Sequence, residues 1–234
     1  MKNLKLFFVI LVLLMFTGGF SYAQDWPNLN RFKDENAKLG LPSPGENRVV
    51  FMGNSITIGW GRISPDFFSG RPYINRGISG QTTPQMLVRF RADVIDLKPA
   101  VVVILAGTND IAGNTGPSTL KMIEDNIVSM AELAKANGIE VVLSSVLPVF
   151  DYPWKPGLEP VEKIAALNKF LKNYAEKNGA IYLDYYSSLV DERKGMKKEY
   201  ASDGVHPNKA GYNVMEPLAE EAIKKVLIQS LKGG

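Results

Sequence analysis

Four short stretches of the chain are apolar on nearly successive residues: Arg48–Met52, Val101–Leu105, Glu140–Ser144 and Ala180–Asp184, with a weaker one at Pro72–Asn75. Their length and β-branched content predict strands, and apolar residues on both faces suit strands covered from both sides, as in a parallel sheet. Between them the apolar spacing becomes helical over Thr83–Leu97, Ser118–Asn137 and Pro160–Asn178, and again at the end over Asn208–Leu231. In the second of these, Met122, Ile123, Ile127, Met130 and Leu133 fall on one helical face, which predicts core. Thr82 or Thr83, with Pro84 just inside the first turn, can cap the first helix; Ser118 can cap the next, and Asn137-Gly138 can end it. Strand and helix alternating in this way predict an α/β domain: a three-layer α/β/α sandwich around a central, mostly parallel five-stranded sheet with right-handed crossovers. In such a sheet, functional residues gather at the carboxyl ends of the strands.

Residues 1–23 do not fit this plan. Lys2 and Lys5 precede the apolar run Leu6–Phe16, and Ser21-Tyr22-Ala23 close the segment. This is the layout of a secretory signal peptide, with an apolar run shorter than the roughly 20 residues a spanning helix needs. Cleavage is expected after Ala23, giving a periplasmic or extracellular protein. Residues 24–47, helical around Asn28–Leu39 and then rich in Pro and Gly, read as an N-terminal arm packed on a single domain at 48–234.

Composition narrows the partners. The sequence has no cysteine, so an exported chain would be stabilised by burial alone and would carry no lipidation cysteine as a membrane anchor. Losing the signal segment removes two lysines and no acid from a formal charge of +3. Nucleic-acid binders usually need a basic stripe, and the nearest one, Arg193-Lys194 with Lys197-Lys198, is interrupted by acids. No nucleic-acid partner and no stable membrane anchor are expected.

Four strand ends or late loops carry polar residues suited to acyl transfer. Ser55, directly after the first strand, stands where a turn into a helix exposes its hydroxyl, as a nucleophile or as a helix cap. The stretch 75-NRGISGQTT-83 has two glycines that permit positive φ, in an anion-binding loop or an ordinary turn. In 105-LAGTND-110, Asn109 can turn its amide into a cleft as a donor, while Asp110 can cap the next segment of chain. In 203-DGVHP-207, His206 is the only histidine, with Asp203 three residues before it. That spacing lets the carboxylate accept a hydrogen bond from Nδ1–H and leaves Nε2 free to accept a proton from a serine. One histidine and no cysteine also leave no material for a His-rich or thiolate zinc site.

In order and spacing these segments resemble the SGNH hydrolase superfamily of GDSL-type esterases and acylhydrolases, including its platelet-activating-factor acetylhydrolase-like bacterial branch. The matches are Ser55 in Gly53-Asn54-Ser55-Ile56-Thr57, Gly80 in Gly77-Ile78-Ser79-Gly80, Asn109 in Gly107-Thr108-Asn109-Asp110, and Asp203 with His206. The resemblance implies a Ser55–His206–Asp203 triad, with an oxyanion hole made by the N–H groups of Ser55 and Gly80 and the side chain of Asn109. It implies no metal and no organic cofactor. One position departs from it: Asn54 stands where the family usually has Asp.

The expected substrate is a short-chain ester, an O-acetyl group on a carbohydrate above all. Trp60, together with Tyr152 and Trp154 in the loop 148-PVFDYPWKPGLEP-160, and Tyr185-Tyr186 are candidate sugar-stacking faces or simply packing residues. The alternatives are a lysophospholipase- or thioesterase-type lipid acylhydrolase, or an inactive glycan-binding relative. A glycoside hydrolase has no paired carboxylates to support it.

Overall fold

The computed structural model describes residues 25–233, so the candidate signal peptide at 1–23 lies outside the described residues. Five strands form one wholly parallel sheet: β1 (Val49–Gly53), β2 (Tyr73–Gly77), β3 (Val101–Leu105), β4 (Glu140–Ser144) and β5 (Ile181–Leu183). The order across the sheet is β2-β1-β3-β4-β5. The strand order therefore reverses between β1 and β3, where the loops at the strand ends diverge and leave a crevice at the carboxyl edge.

Among the described residues eight α-helices surround the sheet: α1 (Lys33–Leu39), α2 (Ser55–Ile63), α3 (Thr83–Asp93), α4 (Thr108–Ile111), α5 (Leu120–Ala136), α6 (Pro160–Asn178), α7 (Tyr186–Leu189) and α8 (Lys209–Gly233). Alternation along the strands sorts them into layers. Val50, Met52, Val102 and Ile104 point to the face covered by α3, α5 and α6. Val49, Phe51, Val101 and Val103 point to the other, covered by α2 and α8. All five residues of β1 and of β3 are buried, as apolar runs covered on both sides require.

Local expectations hold where capping chemistry is explicit and shift where it is not. Thr82 caps α3 in a reciprocal box with Gln85. The stretch expected as one helix to Leu97 breaks at Val94 and tightens into a 3₁₀ turn at Ile95–Leu97, because Lys98 reverses the chain at φ 46° ahead of Pro99. Thr119, not Ser118, caps α5: its hydroxyl accepts from Met122 N–H at 3.2 Å. Met122, expected in the core, is 52% exposed, since it sits one residue before Ile123 and so points about 100° away from the buried stripe of Ile123, Ile127, Met130 and Ala134.

The arm lies against the domain. Phe32 is buried between the guanidiniums of Arg31 (4.7 Å) and Arg76 (4.6 Å). Trp26 O accepts from Gln85 Nε2, and Pro27 O from Gln81 Nε2, both at 2.7 Å. No helix among the described residues is long and apolar enough to cross a membrane.

The cap assignment gives a first expectation. Thr119→Ala should destabilise the protein by about 1 kcal/mol in urea unfolding, whereas Ser118→Ala should stay within a few tenths.

Candidate active site

The first turn of α2 follows β1 without a linker. Asn54 occupies the N-cap, its Oδ1 accepting from Ile56 N–H at 3.0 Å, so Ser55 is the first helical residue and its hydroxyl is not spent on capping. The Asn54 side chain is fully buried, and its Nδ2 has no hydrogen-bond partner. An aspartate there could accept the same cap bond without leaving a buried donor unmatched, so the departure at Asn54 costs hydrogen bonding but not the cap.

Ser55 Oγ lies 2.9 Å from His206 Nε2. His206 Nδ1 lies 2.7 Å from Asp203 Oδ2, while Asp203 Oδ1 accepts from the backbone N–H groups of Val205 (2.9 Å) and His206 (2.8 Å). With the carboxylate on Nδ1, the proton belongs on that nitrogen and Nε2 is an acceptor facing the serine. Partial burial pushes the Asp203 carboxyl up, but the bonds from the His206 backbone, the His206 ring and Val205 N–H outweigh it and hold the carboxyl below its usual range.

Asn109 and the Gly80 loop are brought together by Asn109 Nδ2, which donates to Gln81 O at 2.9 Å and keeps its second hydrogen free. Gly80 adopts φ +76°, a conformation that side-chain-bearing residues rarely take. Among the described residues neither Ser55 N–H nor Gly80 N–H donates to a protein acceptor. Gly77 brings the end of β2 against α2: a Cβ there would stand 2.3 Å from Ile58 N and 2.8 Å from Asn54 O.

Asp110 does not cap its own helix. It reaches across to the start of α3, accepting from Thr83 N–H (3.0 and 3.1 Å) and Thr83 Oγ1–H (2.6 Å). Burial drives its carboxyl up to about 6, against the pull of the Thr83 hydroxyl and N–H.

Arg89, fully buried in α3, belongs to none of the sequence motifs. Its Nη2 donates to Gly53 O (3.1 Å) and Arg76 O (2.8 Å), its Nε to Gln81 Oε1 (2.5 Å) and its Nη1 to Asp93 Oδ2 (2.9 Å). One guanidinium thus ties the ends of β1 and β2 to the loop that carries Gly80. The signal for it in the sequence is an arginine between the apolar Met86 and Phe90, four residues before Asp93.

The aromatic candidates separate by burial. Trp60 is 1% exposed, stacked on Phe67 (4.6 Å) and Tyr212 (5.5 Å), and it has no free face for a ligand. Tyr152 is also buried; its hydroxyl donates to Thr108 O (2.9 Å) and lies 2.9 Å from Thr108 Oγ1, making it a strut beneath the Asn109 loop. Tyr185 is fully buried. Trp154 remains: it is 45% exposed, with its ring 6.0 Å from that of His206.

Residues 51–214 match the model of the GDSL-like lipase/acylhydrolase family. The chain belongs to that family. This GDSL-like chain is 53% identical to a candidate acylhydrolase from Bacteroides fragilis of known structure, covering 88% of this chain and 100% of the other with a TM-score of 0.86. It is 28% identical over 168 residues to Esterase TesA of Pseudomonas aeruginosa, covering 70% of this chain and 77% of that protein. It is 24% identical over 223 residues to an acetylxylan esterase of Xylanibacter ruminicola, covering 79% of this chain and 45% of that protein. Across the curated relatives it matches, the chain spans from a third to about three quarters of their length.

The residues behind the site carry two expectations. Arg89→Met should destabilise by on the order of 3–5 kcal/mol, because it leaves Asp93 buried without its counter-ion and with the Asn36 amide as its remaining side-chain partner, and adding Asp93→Leu should recover part of that loss in a double-mutant cycle. For Asp110, the folded pKa lies above the ordinary value of 3.8, so the folded state holds the proton over that interval and stability falls as pH rises from about 4 to about 6. Relative to wild type, Asp110→Asn should therefore gain stability with rising pH, by on the order of 3 kcal/mol between pH 4 and 7 in urea unfolding.

Proposed function

We propose that this GDSL-like chain is an exported carboxylic ester hydrolase that removes short acyl groups, O-acetyl groups above all, from carbohydrates. The observation that carries the reading is the continuous hydrogen-bonded line Ser55 Oγ, His206 Nε2, His206 Nδ1, Asp203 Oδ2, at 2.9 and 2.7 Å. In this reading Ser55 Oγ attacks the ester carbonyl and gives its proton to His206 Nε2, while Asp203 stabilises the imidazolium. The oxyanion is met by the free N–H groups of Ser55 and Gly80 and the second amide hydrogen of Asn109. His206 returns the proton to the departing alcohol, leaving an acyl-serine; it then takes one from water, which attacks the acyl carbon, releases the carboxylic acid and restores the serine.

The carbohydrate part rests on Trp154, an exposed indole beside His206, and on the relative named acetylxylan esterase. Export rests on the signal-like pattern of residues 1–23.

The test is hydrolysis of p-nitrophenyl esters of increasing chain length. Acetate should be the best substrate, Ser55→Ala should reduce turnover to background, and Asn109→Ala should lower kcat by about 10²–10³ in a folded protein. A rate that survives in Ser55→Ala would remove the proposed nucleophile, and an optimum at long acyl chains would move the reading to lipid esters.

A further inference from the structure

The N-terminal arm builds one wall of a second cleft, about 470 Å³ in volume, directly beside the loop that carries Gly80. Trp26, Asn28, Ser79, Gln85, Asn114 and Thr115 line it. Two of these meet the candidate oxyanion machinery: Ser79 precedes Gly80, and Asn114 Nδ2 lies 3.4 Å from Gly80 O while Asn114 N–H donates to Asn109 O at 3.0 Å.

The lining has a definite chemistry. Trp26 is 46% exposed, a large apolar ring left in water on a backbone that is firmly held. Trp26 O and Pro27 O accept the Gln85 and Gln81 side chains at 2.7 Å, and the Asp25 carboxylate accepts from Leu29 N–H (2.8 Å), Asn30 N–H (3.0 Å) and Asn30 Nδ2 (3.1 Å). The backbone that carries the indole is therefore already ordered, leaving only the two side-chain torsions of Trp26 to fix on binding. Among the described residues no lysine or arginine lines the cleft, its one carboxylate is engaged, Gln85 is spent on Trp26 O and Thr82, and Thr115 Oγ1 on Thr82; the side chains of Asn28 and Ser79 and the Asn114 Oδ1 are the polar groups it offers. An anion would find no counter-charge there and an acyl chain too little apolar wall. A neutral sugar fits both features, its C–H face on the negative face of the indole and its hydroxyls on Asn28, Ser79 and Asn114 Oδ1. The volume is within the ordinary range of small-molecule sites, roughly 300–1,000 Å³.

We propose that this arm-walled cleft is a subsite for a neutral sugar unit of the carbohydrate that bears the ester, with Trp26 as its stacking platform. The proposal deepens the carbohydrate reading above and rests on it. It makes the arm part of substrate recognition, holding the glycan next to the loop that presents Gly80 N–H.

Two measurements on the purified protein test it. In calorimetric titration with xylo-, cello-, manno- and chitotetraose, wild type should bind at least one, Trp26→Ala should bind it at least tenfold more weakly, and Trp26→Phe should recover most of the affinity. In kinetics, the ratio of kcat/KM on O-acetylated xylotetraose to that on p-nitrophenyl acetate should fall at least tenfold in Trp26→Ala. Failure of wild type to bind any of the four sugars, undiminished binding by Trp26→Ala, or an equal fall on both esters would overturn the subsite. Failure of the hydrolase reading shows separately, as no turnover of p-nitrophenyl acetate by wild type, and leaves the titration to decide the cleft.

Discussion

The buried guanidinium of Arg89 is the interaction on which the geometry of the carboxyl edge depends. A charge taken fully out of water persists only if its donors are matched, and here the partners are the carbonyls near the ends of β1 and β2, the side chain of Gln81 and the carboxylate of Asp93. Burial pulls its pKa down to about 10, so it stays cationic at neutral pH. Because Gln81 also accepts Asn109 Nδ2 through its backbone carbonyl, three separate strand ends share one hydrogen-bonded block. The groups proposed to act on substrate stand on its outer side.

Two carboxylates near this block behave in opposite ways, and environment alone separates them. Asp203 is partly exposed and accepts two backbone N–H groups and a histidine ring, so its charged form is favoured. Asp110 is buried, receives Thr83 and its own backbone N–H, and is pushed toward its neutral form because burial outweighs these bonds. Asp110 gives up stability at neutral pH to hold the start of α3 against the loop of Asn109, the kind of local cost that functional sites commonly carry.

Much of the fold was legible in the sequence because the strands are buried on both faces and so leave unbroken apolar runs such as Val101–Leu105. The helices were legible where periodicity and caps agree, as at Thr82. They were less so where two hydroxyls compete, as at Ser118 and Thr119, or where a backbone reversal like that at Lys98 comes from tertiary packing. The spacing of Asp203 and His206 suggested that pair, whereas their joining to Ser55, which the residues alone left as nucleophile or helix cap, was implied by the resemblance of the four segments to GDSL-type esterases. The aromatic residues could not be sorted: Trp60, Tyr152 and Trp154 are equivalent as letters, and only packing tells a stacked core ring from one left in water. Arg89 was hidden for the same reason, since a charged residue in a helix reads as surface until its partners are known.

The turn Asp203-Gly204-Val205-His206 has a mechanical consequence. Asp203 holds both the ring and the backbone of His206, so the carboxylate and the base form one stiff piece. That piece is held toward the serine by Val205, buried in the core, and by α8 docked on α2, where Tyr212 Oη donates to Ile56 O at 2.7 Å and its ring stacks on Trp60. Displacing this turn from Ser55 would withdraw the carboxylate and the base together, so its loosening would disconnect the relay as a unit rather than degrade it piece by piece.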